Sequence, residues 1–415
     1  MKDVDVYQLL PGLRNRSTLW VWLVGLGIVG TVAVVTAVEH TAGSVADLRQ
    51  IAHDIARGTS RLTTDEPSAA VSQDFPLLRD IASWVFAATI IGGCGVLRAL
   101  LSRLSVAFSD LVRLGAVKPA TTLRLSRVSR FLLIDRKVRN LAAADALPAF
   151  IGRVNRLMYL WRVPVLLTVL GAAWLLAKGL ITAEQHGLYL IVAPEDLSPA
   201  EQRAWAAQAY HNWWAGDQHP AGHYLYYALA MLAMALIITF NVVGIIAVYV
   251  CYGTYCLGET GADWANRDGR WGWRSVAQVY AWTYWALALQ GIALSAVVLL
   301  VKLYDLSVRW EYVVAMLWMV LQYPIMIPLY VVLPWFVFNK IQRSAQQQRI
   351  EHLDRLMRDI DPVKDIDQVG PVVAEVDRCW AATIRPMAMR PGQWSPFAAA
   401  VLLPLVLTVS QIWLS

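Results

Sequence analysis

Seven long apolar stretches run through this chain of 415 residues, and none has a charged side chain at its centre. A helix needs about 20 predominantly apolar residues to cross the hydrocarbon core of a bilayer. A charge at mid-bilayer costs several kcal/mol and usually marks an ion, proton or substrate path. The pattern predicts an all-α, polytopic membrane bundle whose function has to be read from its loops and its weakly polar spans. Hydrophobic residues make up 57% of the chain and charged residues 16%, against about 25% charged in a soluble domain. The apolar residues are gathered into blocks too long for globular core helices. One membrane domain over 1–415 is therefore expected, rather than two or three soluble ones.

The expected transmembrane helices are 18–38, 80–101, 162–182, 224–250, 277–301, 311–338 and 396–414. Between Arg103 and Arg162 there are twelve Lys and Arg against three Asp, whereas Glu39 to Asp80 holds seven acids and four Arg, and Ala183 to His223 five acids and Arg203 alone. Basic residues collect in cytoplasmic loops. The charge bias thus predicts a cytoplasmic N-terminus, a C-terminus outside, and a multi-pass protein of the cell (inner) membrane. Trp20, Trp22, Trp161, Trp271, Trp273, Trp335 and Trp394 flank one set of span ends and Trp310 and Trp413 the other, the positions of an interfacial aromatic belt. The first span is read as retained, since its apolar run is long for a signal peptide and no A-x-A-like site follows cleanly.

The loops carry helices of their own. A short amphipathic helix with a Ser44 cap is expected in the first outer loop. In the outer segment 183–223, Ser198-Pro199-Ala200-Glu201 combines an N-cap, Pro at N1 and Glu at N3, a strong helix start expected to run to about Trp214. The basic cytoplasmic segment 103–161 reads as two or three helices broken at Gly115, Lys118-Pro119 and Pro148. The cytoplasmic segment 340–395 opens with a helix carrying Ile350, Leu353, Met357 and Ile360 at a/d spacing. There is no internal repeat, which weighs against an inverted-repeat transporter.

Six of the seven histidines fall on the outer side of this topology. Imidazole binds metals and titrates near neutrality, so His186, His211, His219 and His223 are the metal or pH-sensing candidates. The plainer account is that His suits an aromatic-rich capped surface. His219 and His223 have the i,i+4 spacing of a helical metal pair, but Pro220 and Gly222 argue against a helix there. Cys251 and Cys256 do not match a C-x₂-C zinc spacing and read as small apolar residues at a helix end. The loop from Gly258 to Asp263 lacks the Lys-Ser/Thr of a phosphate-binding loop, and no strand is expected before it. Arg124, Arg127, Arg130, Arg136, Lys137 and Arg139 interleave with apolar residues. Beside a membrane such a stretch contacts anionic lipid headgroups at the cytoplasmic face. Nucleic acid is not expected, because no aromatic stacking platform accompanies the charge.

Among the amides within the spans are Asn241, Gln290, Gln322 and Gln411, and Pro324 with Pro328 and Pro334 breaks the sixth span. Freed carbonyls and amides can line a neutral path, although such amides more often hydrogen-bond neighbouring helices. No Asp, Glu or His lies in the interior of a span, away from its first residue, and no G-x-S-x-G occurs, so an enzyme is not expected, and no cofactor is implied. The leading expectation is a channel or pore-like protein with an uncharged path through Asn241, Gln290, Gln322, Pro324 and Gln411, with a homo-oligomer as its partner assembly. The alternatives are a secondary transporter of a neutral or apolar solute, and a non-transporting sensor or scaffold whose outer cap binds a ligand or metal.

Overall fold

The computed structural model describes residues 4–49, 74–124, 127–132, 134, 141–187, 197–264, 270–303, 325–326, 328–359 and 366–381. Its helices are α1 (Thr18–Val38), α2 (Ile81–Arg113), α3 (Arg127–Phe131), α4 (Ala143–Gly187), α5 (Pro199–His211), α6 (Pro220–Leu257), α7 (Arg274–Leu303), α8 (Leu333–Asp359) and α9 (Ile366–Ala381). A π-helical turn, Pro328–Val332, leads into α8, and a short ribbon pairs β1 (Val117–Pro119) with β2 (Gly258–Thr260). Thr18–Val38, Ile81–Arg113, Ala143–Gly179 and Pro220–Leu257 are each long and apolar enough to cross a membrane. The chain is mostly helical and compatible with an integral membrane protein. The expected fifth span lies on α7, which at 30 residues extends about 45 Å. The expected sixth span enters the described residues only at its end, in the π-turn and the start of α8. The seventh, 396–414, lies outside them.

The long helices alternate in direction. The Leu77 and Leu78 amides donate to the Thr41 and Ala42 carbonyls at 3.0 Å, closing the turn from α1 to α2. Phe150 packs on Tyr249 while the Tyr227 hydroxyl donates to the Trp174 carbonyl, so α4 and α6 run antiparallel. At the start of α7 the Ser275 hydroxyl donates to the Asp110 carboxylate at 2.6 Å, near the end of α2. One end of the bundle thus gathers the basic connections and the other the acidic ones.

Several helices run further than their apolar stretches. α2 continues past Arg103 because Leu97, Leu100, Leu101, Leu104, Ala107, Phe108 and Leu111 keep one buried stripe at helical spacing. Gly115, at φ +69°, then terminates it. The expected breaks at Gly115 and Lys118-Pro119 are therefore the end of α2 and a strand. The third, at Pro148, is not a break: Pro148 and Pro164 both lie inside α4. Near the start of a helix few intrahelical bonds are lost to proline. The interior Pro164 is of the kind tolerated in membrane helices. At 45 residues, α4 is about 67 Å long, over twice the hydrocarbon thickness.

The ribbon corrects the expectation that no strand borders Gly258–Asp263. Val117 pairs with Thr260, Lys118 with Glu259 and Pro119 with Gly258, clamping the ends of α2 and α6. Beside it, the Trp264 and Trp271 rings pack at a tilt with centroids 5.2 Å apart, and the Arg378 guanidinium from α9 lies 4.4 Å over Trp271 and donates to the Trp264 carbonyl. Gln346 donates to the Cys379 carbonyl at 2.8 Å and Arg349 pairs with Glu375 at 3.4 Å. These contacts hold α8 and α9 as a hairpin against the basic end.

The acidic end is held by Asp80. Its carboxylate caps α2 through the Ala82 and Ser83 amides, and it accepts the Ser83 hydroxyl and the indole N–H groups of Trp213 (3.0 Å) and Trp214 (2.8 Å). Both indoles are fully buried, and their rings meet Tyr226 at 4.8 and 5.9 Å. The Phe75 carbonyl accepts the Trp214 amide at 2.9 Å. Removing the Asp80 acceptor leaves two buried indole donors unpaired, each at about 1–3 kcal/mol. Asp80→Ala is expected to destabilise the protein by on the order of 3 kcal/mol and to red-shift tryptophan emission, measured by thermal unfolding and fluorescence in detergent. Asp80→Asn, which keeps one acceptor oxygen, should lose less.

Candidate functional site

Two buried stripes and a π-turn place uncharged polar groups inside the bundle. On α6 the positions Asn241, Gly244, Val248 and Cys251 recur at offsets of three, seven and ten. On α7 Tyr280, Thr283, Leu287 and Gln290 do the same, and all eight are buried. This spacing puts each set on one face of its helix. The stripes meet where Cys251 of α6 comes close to Tyr280 of α7, whose buried hydroxyl has no hydrogen-bond partner among the described residues. Phe338 of α8 covers that junction, with its ring 5.5 Å from Tyr280 and 5.4 Å from Trp273.

Further along α6 the π-turn inserts Tyr330. Its hydroxyl donates to the Asn241 main-chain carbonyl at 2.7 Å, and its ring occupies the space above Gly244, where an added Cβ would lie 2.7 Å from the ring. Glycine is required here by close approach. The ring is buried although it follows a run of prolines. π-Helical turns carry one extra residue per turn and recur at functional sites.

Of the path candidates, Asn241 and Gln290 fall on these stripes, while Gln322, Pro324 and Gln411 lie outside the described residues. Gln290 is 3% exposed, and among the described residues its amide oxygen accepts no hydrogen bond. Leaving a buried acceptor unmade costs about 1–3 kcal/mol.

His211, His219 and His223 lie at the acidic end, where α5 leads into α6, and the His186 side chain is not among those described. Contrary to the sequence expectation, Pro220 and Gly222 are helical: Pro220 is N1 of α6, His219 its N-cap, and the His223 amide bonds the His219 carbonyl at 2.9 Å. Proline at N1 forfeits no intrahelical bond, and Gly222 is needed because a Cβ there would overlap the Trp214 carbonyl. His211 pairs with Asp217 at 2.7 Å on the surface, and His223 contacts the Ala215 carbonyl at 3.2 Å. Among the described residues no group of three His, Cys, Asp or Glu side chains could hold a metal ion. The Ser198–Glu201 capping box is formed, and the hydrogen bonds to Ser198 hold the Glu201 carboxyl below its usual range. α5 stops at His211, short of Trp214, because both tryptophans turn inward to Asp80.

The basic candidates divide. Arg124 donates to the Thr260 hydroxyl at 3.3 Å and lies 5.4 Å over Tyr255, so its guanidinium is held by the protein. Arg127 and Arg130 are exposed on α3 beside Phe131, which is 84% exposed. Arg136, Lys137 and Arg139 lie outside the described residues.

Sequence reasoning missed Asp80, Trp213, Trp214 and Tyr330. An Asp directly before an apolar run is a readable N-cap signal, but nothing in sequence pairs it with tryptophans more than a hundred residues away. Tyr330→Phe removes one buried hydrogen bond, so a loss of about 1 kcal/mol is expected. Gly244→Ala must displace the ring and should cost about 1–3 kcal/mol, read as a larger fall in melting temperature in detergent.

Comparison with known protein families, with curated proteins and with solved structures finds no match for this chain.

Proposed function

We propose that the chain is a channel or pore-like membrane protein, closed in this conformation, with an uncharged path along the α6 and α7 stripes. The observation that carries this reading is the buried amide of Gln290, an acceptor left without a protein donor among the described residues and placed on the same stripe as Thr283. Water or a neutral solute would satisfy it, and Tyr330, seated on Gly244 by a π-turn, supplies a plug that a change of helical register would withdraw. Seven spans, a cytoplasmic N-terminus, an outer C-terminus and residence in the cell (inner) membrane belong to this proposal, supported by the charge bias of the connecting segments. A homo-oligomer is part of it too.

A second reading, a non-transporting sensor or scaffold, is favoured by the hairpin. α8 leads directly out of the π-turn, and Trp380 on α9 is 65% exposed, so a movement of Tyr330 would be relayed to a surface fit for a partner. A secondary transporter draws less support, because no Asp, Glu, Lys or Arg lies at the centre of a span.

Reconstituted protein in a planar bilayer should give discrete conductance steps, and Gln290→Leu should lower their amplitude or frequency several-fold. Silence across pH, voltage and divalent cations would contradict the pore and leave the sensor or scaffold.

A further inference from the structure

We propose that a crevice between the N-terminal segment, α4 and α6 binds one anionic phospholipid, its acyl chain along the crevice and its phosphate on Arg162. This does not rest on the channel reading. The crevice is lined by Leu9 and Leu10, by Arg162, Val165, Leu166 and Val169, and by Thr239, Val242 and Val243.

Its size decides the class of ligand. The enclosed space is about 30 Å³, roughly that of one water molecule, where sites that engulf a small solute measure about 300–1,000 Å³. A slot this small and half open cannot engulf a solute, so a ligand can only lie along its open side with a short part of an acyl chain seated in it. Apart from Arg162 its walls make no polar demand: the Thr239 hydroxyl donates to the Ala235 carbonyl of its own helix at 2.7 Å. α4 and α6 are both membrane-compatible helices, and beside the crevice Val163, Leu167 and Leu170 are exposed, so lipid is the medium that meets it.

Arg162 supplies the charge complementarity. It is the only charged residue of the lining, and among the described residues it has no carboxylate partner, its guanidinium lying instead 4.5 Å over the Tyr159 ring. Tyr159 and Trp161, just before it on α4, are both exposed, the signature of headgroup depth. A guanidinium there meets a phosphate through paired donors. The third wall is built rather than draped. The Asp5 amide donates to the Asn155 side chain at 2.9 Å, the Arg98 guanidinium donates to the Tyr7 hydroxyl and the Arg16 carbonyl, and Val4 and Val6 are fully buried.

The test is photocross-linking of the full chain in nanodiscs, using phosphatidylglycerol or phosphatidylcholine with a diazirine on the acyl chain and mapping adducts by mass spectrometry. Phosphatidylglycerol adducts should concentrate at Val165–Val169 and Val242–Val243, above the level at lipid-facing Val34 and Leu175, and exceed those of phosphatidylcholine. Arg162→Gln should cut that excess about fivefold, the equivalent of about 1 kcal/mol for one basic residue at an anionic surface, while Arg162→Lys keeps most of it. Leu166→Trp, which fills the slot from its exposed side, should lower adducts of both lipids there. Adducts spread evenly over the lipid-facing helices, or an excess unchanged in Arg162→Gln, would overturn the proposal.

Discussion

The arrangement of the bundle depends on one buried carboxylate. Asp80 starts α2 and, through the two indoles that precede α6, fixes where α6 begins. The β1–β2 ribbon fixes where the same two helices end. Between these clamps small residues let the helices close: Gly93 faces Leu236 and Phe240, and Gly253 faces the ring of Phe150 from α4. α2 and α6 therefore form a frame. α1 packs against it through Gly25, which admits Cys94, and α7 through Leu289, which rests on Gly92.

Against that frame the 328–359 element is held differently. It meets α6 and α7 through Tyr330 and Phe338 rather than through a long helix–helix interface. The magnitudes separate glue from path. A side-chain hydrogen bond between membrane helices is worth about 0.6 kcal/mol, whereas an unmet buried acceptor costs about 1–3 kcal/mol. Gln290 incurs the cost without the gain among the described residues. Under the proposed channel reading, water or a neutral solute would meet that acceptor.

What could be read from the sequence followed local chemistry. α1, with its Ser17 cap, and α5, with its Ser198–Glu201 box, start where their caps stand. The reach of α2 and α4 was harder to read. Arg103 and Pro148 look like terminators, yet a buried stripe carries α2 past the first, and the second stands too near the start of α4 to break it. The ribbon strands are three residues each, too short to show a period of two. The stripe on α7 was partly legible, since Gln290 stands out in an apolar run, but its alignment with Tyr280 and Thr283 needed the helix to be built. The Asp80 lock and the Tyr330 insertion join residues 133 and 89 positions apart, and no local pattern encodes such distances.

The central claim is that the α7 stripe becomes wet when Tyr330 leaves its seat. Single cysteines at Thr283 and Gln290, in a chain whose four native cysteines are replaced, report this through a charged, membrane-impermeant thiol reagent applied to sealed proteoliposomes. Trp285 and Ile292, exposed on the opposite face of α7, serve as lipid-facing controls. The account predicts that the Tyr330→Ala background admits the reagent to positions 283 and 290 and leaves 285 and 292 unlabelled. Protection of all four, or labelling that ignores the stripe, would contradict it.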